Sequence, residues 1–184
     1  MIKIVYDDND ERLAQSKAQK MIENGLYSRF NLNQNDRLEK AFLGMLGEIT
    51  FQKFLKIKQI PYDIDETDFN VSNSDEFDVK IKNALFDIKI AKTTNTPQDG
   101  WSYGYPEEQH PEKKDFIVVG CLNKQQRTVM FYGWISGKEV QKFPVVTINS
   151  FAKFPYKTPN HEFRYGNLNK DFDKLFKEVL ANMP

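Results

Sequence analysis

The sequence predicts one α/β domain over all 184 residues, built as a mixed β-sheet flanked by α-helices. Three observations carry this. Residues 36–58 form an amphipathic helical pattern. Two short runs, 77–82 and 85–91, alternate apolar and polar side chains. Two more strongly apolar runs, 115–122 and 128–135, follow them. A buried helix stripe recurs every three or four residues and a half-buried strand alternates, so the two patterns separate by period. The length is enough for one full core.

Taken in order, residues 2–6 are a strand candidate. Residues 10–24 read as a polar helix stopped by Gly25. The connector 27–35 is expected to pack Tyr27, Phe30 and Leu32 inward. Asn35 or Asp36 then caps the long helix, with Asp36 and Glu39 at capping-box spacing. Leu38, Ala41, Phe42, Met45, Ile49, Gln52 and Leu55 trace its stripe. Gly44 and Gly47 each cost roughly 1 kcal/mol in a helix interior relative to Ala, and their use would be close approach to a neighbour. Pro61 ends the following turn, and 63–75 is an acidic, partly extended stretch.

In the first alternating run Phe77, Val79 and Ile81 point one way, and Asp78, Lys80 and Lys82 the other. In the second, Phe86, Ile88 and Ile90 form the apolar face, opposite Asp87 and Lys89. With Asn83-Ala84 as the connection, Asp78 lies across from Lys89, and Lys80 across from Asp87. The apolar and polar faces then coincide. Residues 92–114 read as a long loop with Trp101, Tyr103, Tyr105 and His110. Loops of that length are usually functional or disordered, and aromatic content argues against disorder. A polar turn at 123–127, a helical turn at 136–142, a strand at 145–149 and a terminal helix within 169–182 complete the chain. Phe172, Leu175, Phe176, Val179 and Leu180 give that last helix its apolar face, with a cap near Asn169.

Twenty-six basic and twenty-six acidic residues balance. Neutral charge does not announce nucleic-acid binding, yet a local basic face remains compatible with it. The lone Cys121 excludes an internal disulfide, suits a reducing compartment and reads as a buried strand thiol. No apolar stretch has membrane-spanning length. The residues after the short N-terminal apolar run, Asp7, Asp8 and Asp10, do not fit a signal peptide. A cytoplasmic protein is the expectation. Two histidines, His110 and His161, which nothing in the sequence places together, are too few for a zinc site or a histidine nuclease. His161, near Arg164, reads as surface chemistry. No Gly-rich phosphate loop is present.

The chemistry concentrates in Glu48, Asp78, Asp87 and Lys89. Glu48 lies on the edge of the helical stripe and the other three on the hairpin's polar face. Buried carboxylates need a partner, and a divalent cation is one. Were the helix to pack on the hairpin, Glu48, Asp78 and Asp87 could converge on Mg²⁺, with the Ile88 carbonyl as a neutral oxygen ligand. Lys89 would reach the same point and stabilise charge on a phosphodiester or hold the attacking water. The plainer readings are a helix-face carboxylate beside Lys56 for Glu48, and cross-strand ion pairs with Lys89 and Lys80 on a solvated face for Asp78 and Asp87.

Glu48 within Gly44-Met45-Leu46-Gly47-Glu48, Asp78 within Phe77-Asp78-Val79, and Asp87-Ile88-Lys89 together resemble the PD-(D/E)xK nuclease superfamily. Many type II restriction endonucleases belong to it. The helix and hairpin look like the start of its core, and residues 115–119 and 131–135 like its later strands, so the resemblance covers about 36–140. Phe77 stands where the family name has proline. The resemblance implies a restriction-endonuclease-like fold and metal-dependent hydrolysis of DNA. Asp78 and Asp87 would be metal ligands, Glu48 a further acidic ligand or water partner, and Lys89 the catalytic lysine. Mg²⁺ is the implied cofactor, with Mn²⁺ as a substitute. Double-stranded DNA is the implied partner, cut by a homodimer, with a cognate methyltransferase if the role is restriction. Lys80, Lys92, Trp101, Tyr103, Lys113 and Lys114 are the candidate DNA contacts, although the aromatics could equally pin the loop to the domain. The alternatives are a structure-specific nuclease for junctions, repair or phage DNA, and a non-catalytic DNA-binding or interaction module.

Overall fold

Side-chain caps set where the helices begin. In the computed structural model, which describes residues 1–24, 33–64, 77–93 and 95–182, strand β1 (Ile2–Val5) leads into helix α1 (Asp8–Glu23). The Asp7 carboxylate accepts the Asn9 and Asp10 amides at 2.8 and 3.0 Å, and Asp10 accepts the Asp7 amide at 3.0 Å. This capping box starts the helix two residues earlier than its apolar pattern implies. Helix α2 (Gln34–Ile57) is capped by Asn33, not by Asn35 or Asp36, because Asn33 Oδ1 accepts the Asp36 amide at 2.9 Å. Gly25, Tyr27, Phe30, Leu32 and residues 65–75 of the acidic stretch lie outside the described residues.

The remaining elements are β2 (Val79–Ile81), β3 (Ala84–Lys92), β4 (Ser102–Pro106), β5 (Phe116–Asn123), β6 (Thr128–Ser136), α3 (Gly137–Val140), β7 (Val145–Ile148), β8 (Pro155–Arg164) and α4 (Phe172–Asn182). Before α4 the Asp171 carboxylate accepts the Lys174 amide at 2.9 Å, so Asp171 fills the capping role expected near Asn169.

A five-stranded mixed sheet has the order β1-β6-β5-β3-β2, and a three-stranded sheet the order β4-β8-β7. Among the described residues only β3 and β5 pair in parallel. A parallel pair needs a crossover, and residues 93–115 supply it. That stretch is not the irregular loop expected. It contains β4 and two 3₁₀ turns, Glu107–Gln109 and Pro111–Lys113. The sequence reading assigned no element to β8, whose Pro155 and Pro159 mask it.

The large sheet buries both faces. Ile4, Phe86, Ile88, Val118, Leu122, Val129 and Phe131 pack with residues of α1, α2 and α4 on one side. Ile117, Val119, Tyr132 and Ile135 pack on the other with Tyr105, Phe163 and Tyr165. The α/β class therefore holds, but the long helices cover one face and the three-stranded sheet covers the other. Cys121 is buried, as expected, and burial pushes its thiol up to about 11. Among the described residues no helix is long and apolar enough to cross a membrane.

Gly47 performs the close approach expected of it. A Cβ there would lie 2.2 Å from Ile90 Cγ1. Gly47→Val is expected to destabilise the protein by about 2–3 kcal/mol through overpacking. Urea denaturation with an unchanged midpoint would refute this contact.

Candidate functional site

The site starts from the β2–β3 hairpin. Its register is Val79 with Phe86, Lys80 with Leu85 and Ile81 with Ala84. The turn is Lys82-Asn83, with Lys82 in the left-handed region at φ 53°. The expected pairs, Asp78 with Lys89 and Lys80 with Asp87, are thus displaced by two residues. A two-residue slip leaves every side chain on its face, so alternation does not distinguish the two registers.

Asp78 lies just before β2. Its amide donates to the Phe86 carbonyl at 3.0 Å, although Val79 is the register partner of Phe86. Two residues therefore address one, as in a β-bulge. The Asp78 carboxylate accepts the Ile88 amide at 2.5 Å. It stands where a further β2 residue would otherwise accept that bond. In a strand the amide and carbonyl of one residue point the same way. The Ile88 carbonyl therefore faces this same edge, beyond the end of β2.

Asp87 and Lys89 occupy the other face of β3, under the three-stranded sheet. Asp87 is 4 % exposed. Its Oδ1 accepts Lys89 Nζ at 2.7 Å, and its Oδ2 accepts the Tyr105 hydroxyl at 2.8 Å. Lys89 Nζ also sits 5.7 Å from the centre of the Tyr105 ring. This is a buried triad, not the solvated cross-strand pairing of the plainer reading. Burial raises the Asp87 pKa, but the Lys89 charge and hydrogen bond, the Tyr105 hydroxyl and the Lys114 charge outweigh it and hold the carboxyl below its ordinary value. Burial likewise lowers Lys89, and the charges of Asp87 and Asp78 outweigh it and hold the ammonium above its ordinary value. Burial, then the Asp87 charge, pushes the Tyr105 phenol well up. Near neutral pH the triad is carboxylate, ammonium and neutral phenol.

Tyr105 is the site residue that the sequence reading missed. The signal was the alternation of Tyr103 and Tyr105 around Gly104, the pattern of a strand inside a supposed loop. Tyr105→Phe deletes a hydrogen bond to a charged group, a loss of about 1.5–3 kcal/mol. It also lessens the depression of the Asp87 pKa. Stability from a depressed carboxyl is present above its ordinary pKa and is lost as pH falls through the folded-state value. The acid-unfolding midpoint of Tyr105→Phe should therefore move to higher pH, and an unmoved midpoint by circular dichroism would contradict the coupling.

Glu48 is half-buried on α2, next to the Gly47–Ile90 contact. The expected three-carboxylate convergence is not formed. Among the described residues no group of three His, Cys, Asp or Glu side chains is placed to hold a metal ion. Strand alternation explains this. Ile88 and Ile90 face α2, so Asp87 and Lys89 face away from it. The two sides adjoin at the edge of β3 beyond the end of β2.

The oxygen donors around β3 are the Asp78 carboxylate and the Ile88 carbonyl at its edge, the Asp87 carboxylate on one face and Glu48 on the helix that packs on the other. Such a set suits Mg²⁺ or Mn²⁺. Mg²⁺ commonly takes one or two carboxylates and keeps several waters. Each carboxylate oxygen has two lone pairs, so Asp87 retains acceptor capacity beside Lys89 and Tyr105. The donor types are therefore those a hard divalent cation takes, although the three carboxylates are not brought together among the described residues.

The other sequence candidates are dispersed. Lys80 pairs through its backbone with Asp63, and Lys92 is ion-paired to Glu39 at 2.7 Å. Tyr103 packs on Phe163 and Tyr165, and Trp101 lies 6.1 Å from Phe151, so both rings pin this segment to the second core. Lys113 is exposed on its 3₁₀ turn, while Lys114 is close enough for its charge to act on Asp87. His161 is not surface chemistry. It is 6 % exposed, with Nδ1 3.1 Å from the Phe143 carbonyl oxygen. It lines one cavity of about 440 Å³ with His110, Glu107, Glu108 and Glu112, so the fold brings together two histidines that the sequence keeps apart.

Comparison with protein-family models, with curated proteins and with solved structures finds no match.

Proposed function

We propose that the protein is a Mg²⁺-dependent endonuclease that hydrolyses phosphodiester bonds of DNA, with a restriction-endonuclease-like core. One observation carries the reading: a buried Asp87–Lys89 pair stands on a strand whose edge beyond β2 also receives Asp78 and the Ile88 carbonyl. The order helix, antiparallel hairpin, parallel strand, antiparallel strand supports it, as does the Gly47 contact that seats Glu48 beside β3.

A bound cation would activate water and polarise a phosphate oxygen. Asp78, Asp87 and the Ile88 carbonyl would hold it, with Glu48 as a further ligand or water partner. The charges of Asp87 and Asp78 favour the ammonium form of Lys89. Its ammonium hydrogen-bonds and stabilises the negative charge that builds on the scissile phosphate. Tyr105 keeps the Asp87 carboxylate ionised and oriented. Cutting both strands of a duplex calls for two such sites or two passes, which makes a homodimer the working arrangement.

The test is incubation of the purified protein with plasmid, branched DNA and RNA, in Mg²⁺ and in chelator, followed by end-mapping. Cleavage of plasmid at a fixed site supports a restriction role, and with it a methyltransferase partner. Cleavage confined to branched DNA supports a structure-specific nuclease. Equal results with Mg²⁺ and chelator refute the proposal. One observation favours a second, non-catalytic reading: both Asp87 oxygens are already engaged within the protein. A DNA-binding module without turnover would then leave every substrate intact.

A further inference from the structure

The hairpin β7–β8 carries features that the proposed chemistry does not use. Residues 141–161 contain Lys142, Lys153 and Lys157 and no acidic residue, in a chain whose net charge is zero. The same stretch exposes Val145, Ile148, Phe151 and Phe154, the two phenylalanines at 56 % and 49 %. They are the exposed phenylalanines among the described residues.

This display is built. Asn149 Oδ1 accepts the Phe151 and Ala152 amides at 3.0 and 2.6 Å. Its Nδ2 donates to the Tyr156 hydroxyl at 2.6 Å, which donates to Glu162 at 2.9 Å. The Glu162 carboxylate also accepts the Ser150 amide at 3.1 and 2.9 Å. Asn149 and Glu162 are both buried. A tip fixed in this way presents its rings without an ordering cost at binding. Partial burial and the charge of Lys157 both lower the pKa of Lys40, which lies on the same helix as Glu48.

We propose that the β7–β8 tip is a nucleic-acid-gripping arm. Lys153 and Lys157 contact backbone phosphates, and the Phe151 and Phe154 rings stack on unpaired or unstacked bases. The inference rests on the nuclease reading for its substrate class. Charge complementarity selects the occupant, since a tip that exposes Lys153 and Lys157 beside two aromatic rings suits a polyanion that has flat apolar faces.

The experiment is fluorescence anisotropy of a labelled single-stranded oligonucleotide and of its duplex, with full-length protein in chelator. Phe151→Ser/Phe154→Ser should weaken single-strand binding about tenfold or more. Lys153→Glu/Lys157→Glu should weaken both substrates and flatten the salt dependence by about two in log–log slope. These positions are exposed, but Phe151 also packs on Trp101 and Phe154 on Tyr156, so unchanged circular dichroism is required before the affinities are compared. Wild-type affinity in both variants overturns the arm. So does binding of wild type to vesicles of phosphatidylserine in place of DNA, or self-association abolished by the phenylalanine changes. Wild-type cleavage by arm variants that bind normally refutes the arm alone. Binding through the arm by a wild-type protein that never cuts refutes the nuclease reading alone.

Discussion

Asp87→Asn is expected to abolish Mg²⁺-dependent cleavage, by about 10³-fold or more, with the fold retained. The amide keeps the volume of the carboxyl but loses the charge that a cation and Lys89 both need. Asp87→Ala is a poorer probe. It removes the partner of Lys89 and of the Tyr105 hydroxyl together, in a place where Asp87 is 4 % exposed. Breaking a buried pair in that way costs about 3–5 kcal/mol, so lost activity could reflect lost folding. The Asn variant also has a signature in pH. The folded-state pKa of Asp87 is depressed, first against burial and chiefly by Lys89. Its stabilisation is therefore full above the ordinary carboxyl pKa and is lost as pH falls through the depressed value. Asp87→Asn should flatten that acid limb. Normal cutting by this variant would remove Asp87 from the mechanism.

Lys89→Met is expected to lose about 10²–10³ in turnover while still binding Mg²⁺. Without metal it leaves the Asp87 carboxylate buried with the Tyr105 hydroxyl still donating to it, a loss of about 3–5 kcal/mol. A cation in excess returns part of this by mass action, about 2.7 kcal/mol at a hundredfold over Kd. Thermal melts should therefore show a larger Mg²⁺ stabilisation in Lys89→Met than in wild type. Loss of both cleavage and Mg²⁺ binding would assign the lysine to structure.

Much of the large sheet was legible in the sequence because its strands alternate or run apolar between polar turns. The hairpin's faces were legible for the same reason. Its register was not, since alternation repeats every two residues and the deciding feature is the left-handed backbone of Lys82. The long helix was legible as a stripe, but its start was set by Asn33, whose side chain acts at a distance of three residues. The second sheet was hidden. Its central strand holds Pro155 and Pro159, and the Tyr103-Gly104-Tyr105 alternation of β4 is too short to stand out within a segment rich in Gly and Pro. That loss removed Tyr105 from the candidate site. It also made the Asp87 face look solvated and the three carboxylates look convergent. Long-range packing supplied all three corrections.

The pairing of β4 with β8 has a temporal consequence. Tyr105 is held opposite His161, so a nascent chain must extend past that residue before the phenol is fixed over Asp87. Contacts of such sequence separation form late, after their loop-closure entropy has been met. The ionised Asp87–Lys89 pair would thus mature only when most of the polypeptide has left the ribosome.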